Sequence, residues 1–119
     1  MLFRSEVWKA EAKGYSGSWS TPVLVNAGDK QELVVNMPDE VWGLDPNDGA
    51  LLWFCTALRG AANTSVVAKD GVVYAVGGGP GGSGAVAIRA GGKDDVTKSG
   101  VLWKKSVGSY VPSPVIVGE

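Results

Sequence analysis

Four stretches of this 119-residue chain hold residue types that could do chemistry. The first is VVYAVGGGPGGSGAVAIR (72–89), in which Gly77, Gly79 and Gly82 satisfy G-x-G-x-x-G, the spacing of loops that wrap a phosphate. Such a loop needs a helix immediately after the glycines, because the helix N-terminus supplies aligned N–H groups and positive potential. SGAVAIRA follows instead, a β-rich alternation, and Pro80 deletes one N–H donor. No Lys-Ser or Lys-Thr pair stands directly after the glycines either. The glycines are therefore expected to join two strands of a hairpin, with Gly77–Ser83 as a possible contact surface.

The second stretch is DPNDG, Asp45–Gly49, whose carboxylates and amide suggest calcium. An EF-hand-type loop reads D-x-[DN]-x-[DN]-G with a Glu at its twelfth position. Here the glycine comes one residue early and the twelfth position is Thr56, so a tight turn is expected. Asp94 and Asp95 form an acidic pair in an exposed loop; two carboxylates can bind a cation or exchange protons, but adjacent ones diverge and stay solvated. Cys55 is alone, so no intrachain disulfide is possible, and it reads as a buried small hydrophobe. Histidine is absent, which removes the commonest general base and zinc ligand together. No G-x-S-x-G and no metal-spaced Cys or His set occurs. Asn63-Thr64-Ser65 fits N-x-[ST] but falls at a strand start. No catalytic, cofactor-binding or metal-ligating residue is assigned.

The elements that would carry these residues follow from composition and repetition. Eleven Lys plus Arg stand against twelve Asp plus Glu, with no basic block to suggest nucleic acid. Nowhere is there a run of the ~18 apolar residues that a membrane span requires. The opening MLFRSEVWKAEAKG has no apolar stretch of signal-peptide length. Eighteen Gly and five Trp imply many turns and a few large apolar anchors, which points to an all-β protein.

Tryptophan marks a repeat. Trp8 in VWKAEA, Trp53 in LLWFCTA and Trp103 in VLWKKSV are 45 and 50 residues apart. After each comes a similar phrase: SGSWSTPVLV (16–25), AANTSVVA (61–68) and GSYVPSPVIV (108–117). Strands are expected at Thr21–Val25, Glu32–Met37, Val41–Leu44 and Leu51–Ala57. A second set is expected at Thr64–Ala68, Val72–Val76, Gly84–Arg89 and Val101–Ser106, with Ser113–Val117 beginning a third. Four antiparallel strands in each 45 to 50 residues is the signature of a propeller blade.

GLDPNDGALLW then resembles the blade motif of pyrroloquinoline-quinone-type (PQQ-like) β-propellers, A-x-D-x-x-T-G-x-x-x-W. Gly43 stands at the alanine, Asp45 at the aspartate, Asp48 at the threonine, Gly49 at the glycine and Trp53 at the tryptophan. In the second unit Ala87 and Trp103 remain, but RAGGKDDVTKSG replaces the compact turn. The resemblance implies an incomplete PQQ-like β-propeller: residues 1–15 as the outer strand of a preceding blade, 16–58 and 59–107 as blades, and 108–119 as the first strand of the next. It also implies that Trp8, Trp53 and Trp103 fasten neighbouring blades. Trp19 and Trp42 are assigned to core or inter-blade packing.

Two functions follow from the resemblance. One is a non-catalytic structural and binding scaffold for a protein, peptide or polysaccharide, whose partners include further blades or other copies of the chain. The other is a fragment of a quinoprotein alcohol dehydrogenase holding PQQ with calcium. The scaffold is preferred, because the chain has one cysteine and no assignable ligand set. A periplasmic or extracellular location is an implication of the family alone.

Overall fold

Among the described residues, short runs of Val, Leu and Ile set between Gly, Asp and Pro turns fold into nine strands and no helix. The computed structural model describes residues 6–11, 17–60, 63–77, 84–108 and 113–118. Strands β1 (Val23–Ala27), β2 (Lys30–Met37), β3 (Glu40–Leu44) and β4 (Leu51–Cys55) form one antiparallel meander in sequence order. Strands β5 (Val67–Lys69), β6 (Val72–Gly77), β7 (Gly84–Arg89) and β9 (Val101–Lys105) form a second. Between β7 and β9, the two-residue β8 (Asp94–Asp95) crosses to the first sheet and pairs parallel with β4.

The two meanders share one plan. Val34, Gly43 and Trp53 lie opposite one another across β2, β3 and β4. Tyr74, Ala87 and Trp103 do the same across β6, β7 and β9. One residue beyond each row the ladder shifts register, at Gly43/Leu44 and at Ala87/Ile88. A bulge bends a strand and re-aims its side chains, and here both sheets carry it beside the tryptophan. The β5–β6 turn holds Asp70 and Gly71 at φ 52° and 74°, the left-handed pair that a two-residue Asp-Gly hairpin demands.

Alternation along the strands sorts side chains to two faces. Val25, Val34, Val41, Trp53 and Cys55 of the first sheet join Val73, Ala75, Val86 and Ile88 of the second in one buried cluster. On its other face the first sheet gathers Val35, Met37 and Leu44, with Leu33 and Trp42 packed against them. Both faces of the first sheet are therefore apolar, which is why β2 reads as a near-continuous hydrophobic run from Leu33 to Val35.

Several elements differ from the sequence reading. Strand bounds move by up to three residues, most at β5. The acidic pair Asp94–Asp95 is exposed, as expected, yet it is a strand. Residues 6–11 and 113–118, expected within strands, form no ladder with the described strands. Gly79 and Gly82 lie outside the described residues. Around them, Gly77 pairs with Gly84 at the end of an antiparallel ladder, and a strand follows the glycines.

Trp53 is fully buried, and its indole lies directly over the Cα of Gly43, so close that a Cβ there would overlap the ring. In the second sheet the methyl of Ala87 fills the corresponding space. Trp103 is displaced outward to 41% exposure and tilts against Tyr74, with ring centroids 6.2 Å apart. Gly43→Ala should therefore destabilise the chain by about 1–3 kcal/mol through overpacking, although alanine is the usual residue of the motif this position resembles. Urea unfolding of the variant checks this, and unchanged stability would contradict the placement of the Trp53 ring.

Candidate functional site

Burying an indole removes its N–H from water and demands an acceptor. In the first sheet that acceptor is Glu32, two residues before Val34 on the same face of β2. Trp53 Nε1–H donates to both carboxylate oxygens of Glu32, each at 3.1 Å. Glu32 is itself only 4% exposed. Its Oε1 also accepts the N–H of Gly91 at 2.8 Å, from the segment that leaves the second sheet. One carboxylate thus ties β4, β2 and the second unit together. Val72 occupies the matching register position in the second sheet, where no such tie is possible.

Glu32 also lines a groove of about 870 Å³, where the β1–β2 turn, the Asp45–Ala50 turn and residues 91–94 converge. Asp29, Asp45 and Asp94 bring carboxylates to it, and Lys30 and Lys93 bring ammonium groups. Asp45 is occupied locally: its Oδ1 accepts the Asn47 backbone N–H at 2.8 Å and the Asn47 amide at 3.0 Å. Asp48 Oδ1 accepts the Ala50 N–H at 2.9 Å. These are Asx-type turn bonds, in which an aspartate replaces a backbone acceptor. The turn closes through Asp45 N–H to Ala50 O and Gly49 N–H to Asp45 O, both 2.8 Å.

Gly49 has a double requirement. Its φ of 76° is left-handed, and the Trp8 ring sits where its Cβ would be. Trp8 Nε1–H donates to the Pro46 carbonyl at 2.8 Å, so the N-terminal indole is clamped onto the turn. Trp8, Gly43, Asp45, Asp48, Gly49 and Trp53 are thus gathered on the first sheet and its β3–β4 turn. Ala87 and Trp103 sit together on the side of the second sheet that faces away from the first. Trp42 packs with the second cluster of the first sheet, but Trp19, expected to pack, is 83% exposed.

The remaining reactive groups are quiet. Burial pushes the Cys55 thiol up to about 11 against the influence of Thr97, which favours the thiolate. Asp95 Oδ1 accepts the backbone N–H of Thr97 at 3.0 Å and its hydroxyl at 2.6 Å. These two bonds hold its carboxyl below the ordinary range. Among the described residues, no group of three or more His, Cys, Asp or Glu side chains is placed to hold a metal ion. No helix there is long and apolar enough to cross a membrane.

Two polar networks escaped the sequence reading. Thr21 N–H donates to Ser65 Oγ at 2.8 Å, and Ser65 N–H donates to Ser113 Oγ at 3.0 Å, across separations of 44 and 48 residues. These residues occupy the same place in the three phrases that follow the tryptophans, so the signal was present as a repeated hydroxyl. The other network centres on buried Asn36. Its side-chain amide donates to Thr64 O at 3.1 Å and Val76 O at 3.3 Å, while its backbone carbonyl accepts from the Ser18 and Ser20 hydroxyls. Thr64 Oγ1 also bonds Val76 O. A single Asn in a strand carried no mark of this role.

Comparison with protein-family models, curated proteins and solved structures found no match to this chain.

Glu32→Ala leaves the buried Trp53 indole N–H without an acceptor, at a cost of about 1–3 kcal/mol, and also removes the acceptor of the exposed Gly91 amide. Urea unfolding should show a loss in that range or above, and a smaller one for Glu32→Gln, which keeps an acceptor oxygen. For Cys55, the folded value lies above the unfolded one, so its contribution is complete below pH ~9 and is lost as pH rises towards 11. Stability should fall across that window, and a Cys55→Ala variant should show a weaker fall. At pH 8 the native thiol should resist iodoacetamide, while the unfolded chain is alkylated.

Proposed function

We propose that this chain is a non-catalytic segment of a PQQ-like β-propeller, acting as a structural and binding scaffold for a protein, peptide or polysaccharide. The observation that carries the reading is the repeated plan of the two sheets. Each is a four-stranded meander with the same bulge beside a tryptophan on its fourth strand, and the two pack face to face through one core. Trp8 supports it further, since an indole clamped on Pro46 and Gly49 is what a neighbouring unit would contribute.

The same plan assigns roles. The hydroxyl relay from Thr21 through Ser65 to Ser113 links the starts of successive units along one edge. Trp53 and Trp103 lie on β4 and β9, the strands of each meander farthest from that edge. Ligand contact then belongs to the turns at the ends of the sheets, which vary in length between units, rather than to a reactive centre. A periplasmic or extracellular setting goes with this reading.

Thermal melting with added PQQ and Ca²⁺ tests the non-catalytic part. A ligand that binds the folded state raises the midpoint by mass action. The scaffold reading expects no change at up to millimolar Ca²⁺ and micromolar PQQ. A reproducible rise with both present, absent with either alone, would overturn it in favour of a quinoprotein dehydrogenase.

A further inference from the structure

The outer edges of the two sheets are finished differently. An edge strand presents unpaired N–H and C=O groups, a ready template for another strand. In the first sheet β8 covers that edge: Trp53 lies opposite Asp94 and Phe54 opposite Asp95, in parallel. Val96 N–H donates to the Phe54 carbonyl at 2.9 Å, and Thr56 N–H donates to Thr97 Oγ1 at 3.0 Å. Val96 itself is buried in the core shared by the sheets. A four-residue segment, Asp-Asp-Val-Thr, is enough to close the edge of β4.

In the second sheet β9 holds the position of β4, as the Ala87–Trp103 row and its bulge establish. Its outer edge pairs with no strand among the described residues. At the positions of Phe54 and Cys55 it carries Lys104 and Lys105, both exposed, and Leu102 and Trp103 beside them are 46% and 41% exposed. The covered edge is closed by an acidic segment; the open one is edged with lysines.

We propose that the open edge of β9 binds an extended acidic peptide segment, which adds to the second sheet as a parallel strand in the way Asp94–Thr97 adds to β4. Main-chain hydrogen bonds supply the affinity in this mode of recognition, and side chains beside the ladder supply the selectivity. Lys104 and Lys105 meet the incoming carboxylates, so charge decides which segments bind and how fast they arrive. This gives the scaffold reading a partner chemistry, and it rests on that reading in taking β9 to face a partner.

The test titrates the isotope-labelled full chain with a capped synthetic peptide, Gly-Gly-Asp-Asp-Val-Thr-Gly, at low ionic strength, following backbone amide shifts. Saturable shifts concentrated on residues 101–105 are expected. Affinity should drop about tenfold or more in the double variant K104E/K105E, and likewise when both peptide aspartates become asparagine. It should also fall as salt rises to about 0.5 M. Both substitutions are at exposed positions, so the variant's unfolding midpoint should match the parent's and separate lost binding from lost fold. No binding, shifts centred on Lys30 and Lys93 instead, or equal affinity for the variant would overturn the proposal. None of these outcomes touches the melting response to PQQ and Ca²⁺, so the two readings fail separately.

Discussion

The structure depends on one buried indole and the carboxylate that receives it. Trp53 is an apolar plate with a single polar atom, and Glu32 is a polar group on an otherwise apolar face. Each alone would be expensive to bury. Together they satisfy one another, and the remaining capacity of Glu32 is used by Gly91 of the second unit. Removing on the order of 200 Å² of indole from water at ~25 cal/mol per Å² contributes several kcal/mol before entropy is counted. That gain requires Gly43 beneath the ring and the second sheet above it, so strand pairing, glycine placement and sheet packing are consequences of one contact.

The second sheet repeats the plan with different residues, and among the described residues no strand packs over its tryptophan face. Ala87 stands where Gly43 does and Val72 where Glu32 does, and the indole of Trp103 neither settles over the strand nor finds a carboxylate. It remains half-exposed beside Tyr74. The same backbone plan thus has a closed form and an open form. The long turn RAGGKDDVTKSG is part of this difference: instead of a compact Asx turn, it reaches back to pair with β4 and inserts Val96 into the core. An apparent departure from the repeat is a clamp between its units.

Much of the fold was legible because short β-branched runs between Gly, Asp and Pro turns leave little choice of element, and tryptophan spacing exposes the repeat. Gly84–Arg89 was read to the residue. What was hidden depends on partners remote in sequence. Asp94–Asp95 looks like a solvated loop until β4 lies beside it, because two aspartates have no strand propensity of their own. Glu32 was read only as the first residue of a strand, and its burial with Trp53 reveals its role. Trp53 was legible as an anchor, but its difference from Trp103 was not, since it lies in which face of each sheet is covered by the other. Of the site, the Asp45–Gly49 turn was readable from its own residues; the groove and the hydroxyl relay required the sheets to be assembled first.

The proposed function rests on surfaces: a buried Cys55 thiol, Asp45, Asp48 and Asp95 bonded within their own turns, and sheet faces and edges that differ in what they leave open. All of it follows from the joint at Trp53. Hydrogen exchange of the five tryptophan indole N–H groups, followed by NMR in the native state, tests that joint most directly. The account predicts that the Trp53 indole exchanges only through global unfolding, while the Trp19 indole exchanges at the rate of an open side chain. A Trp53 indole exchanging as fast as that of Trp19 would contradict it.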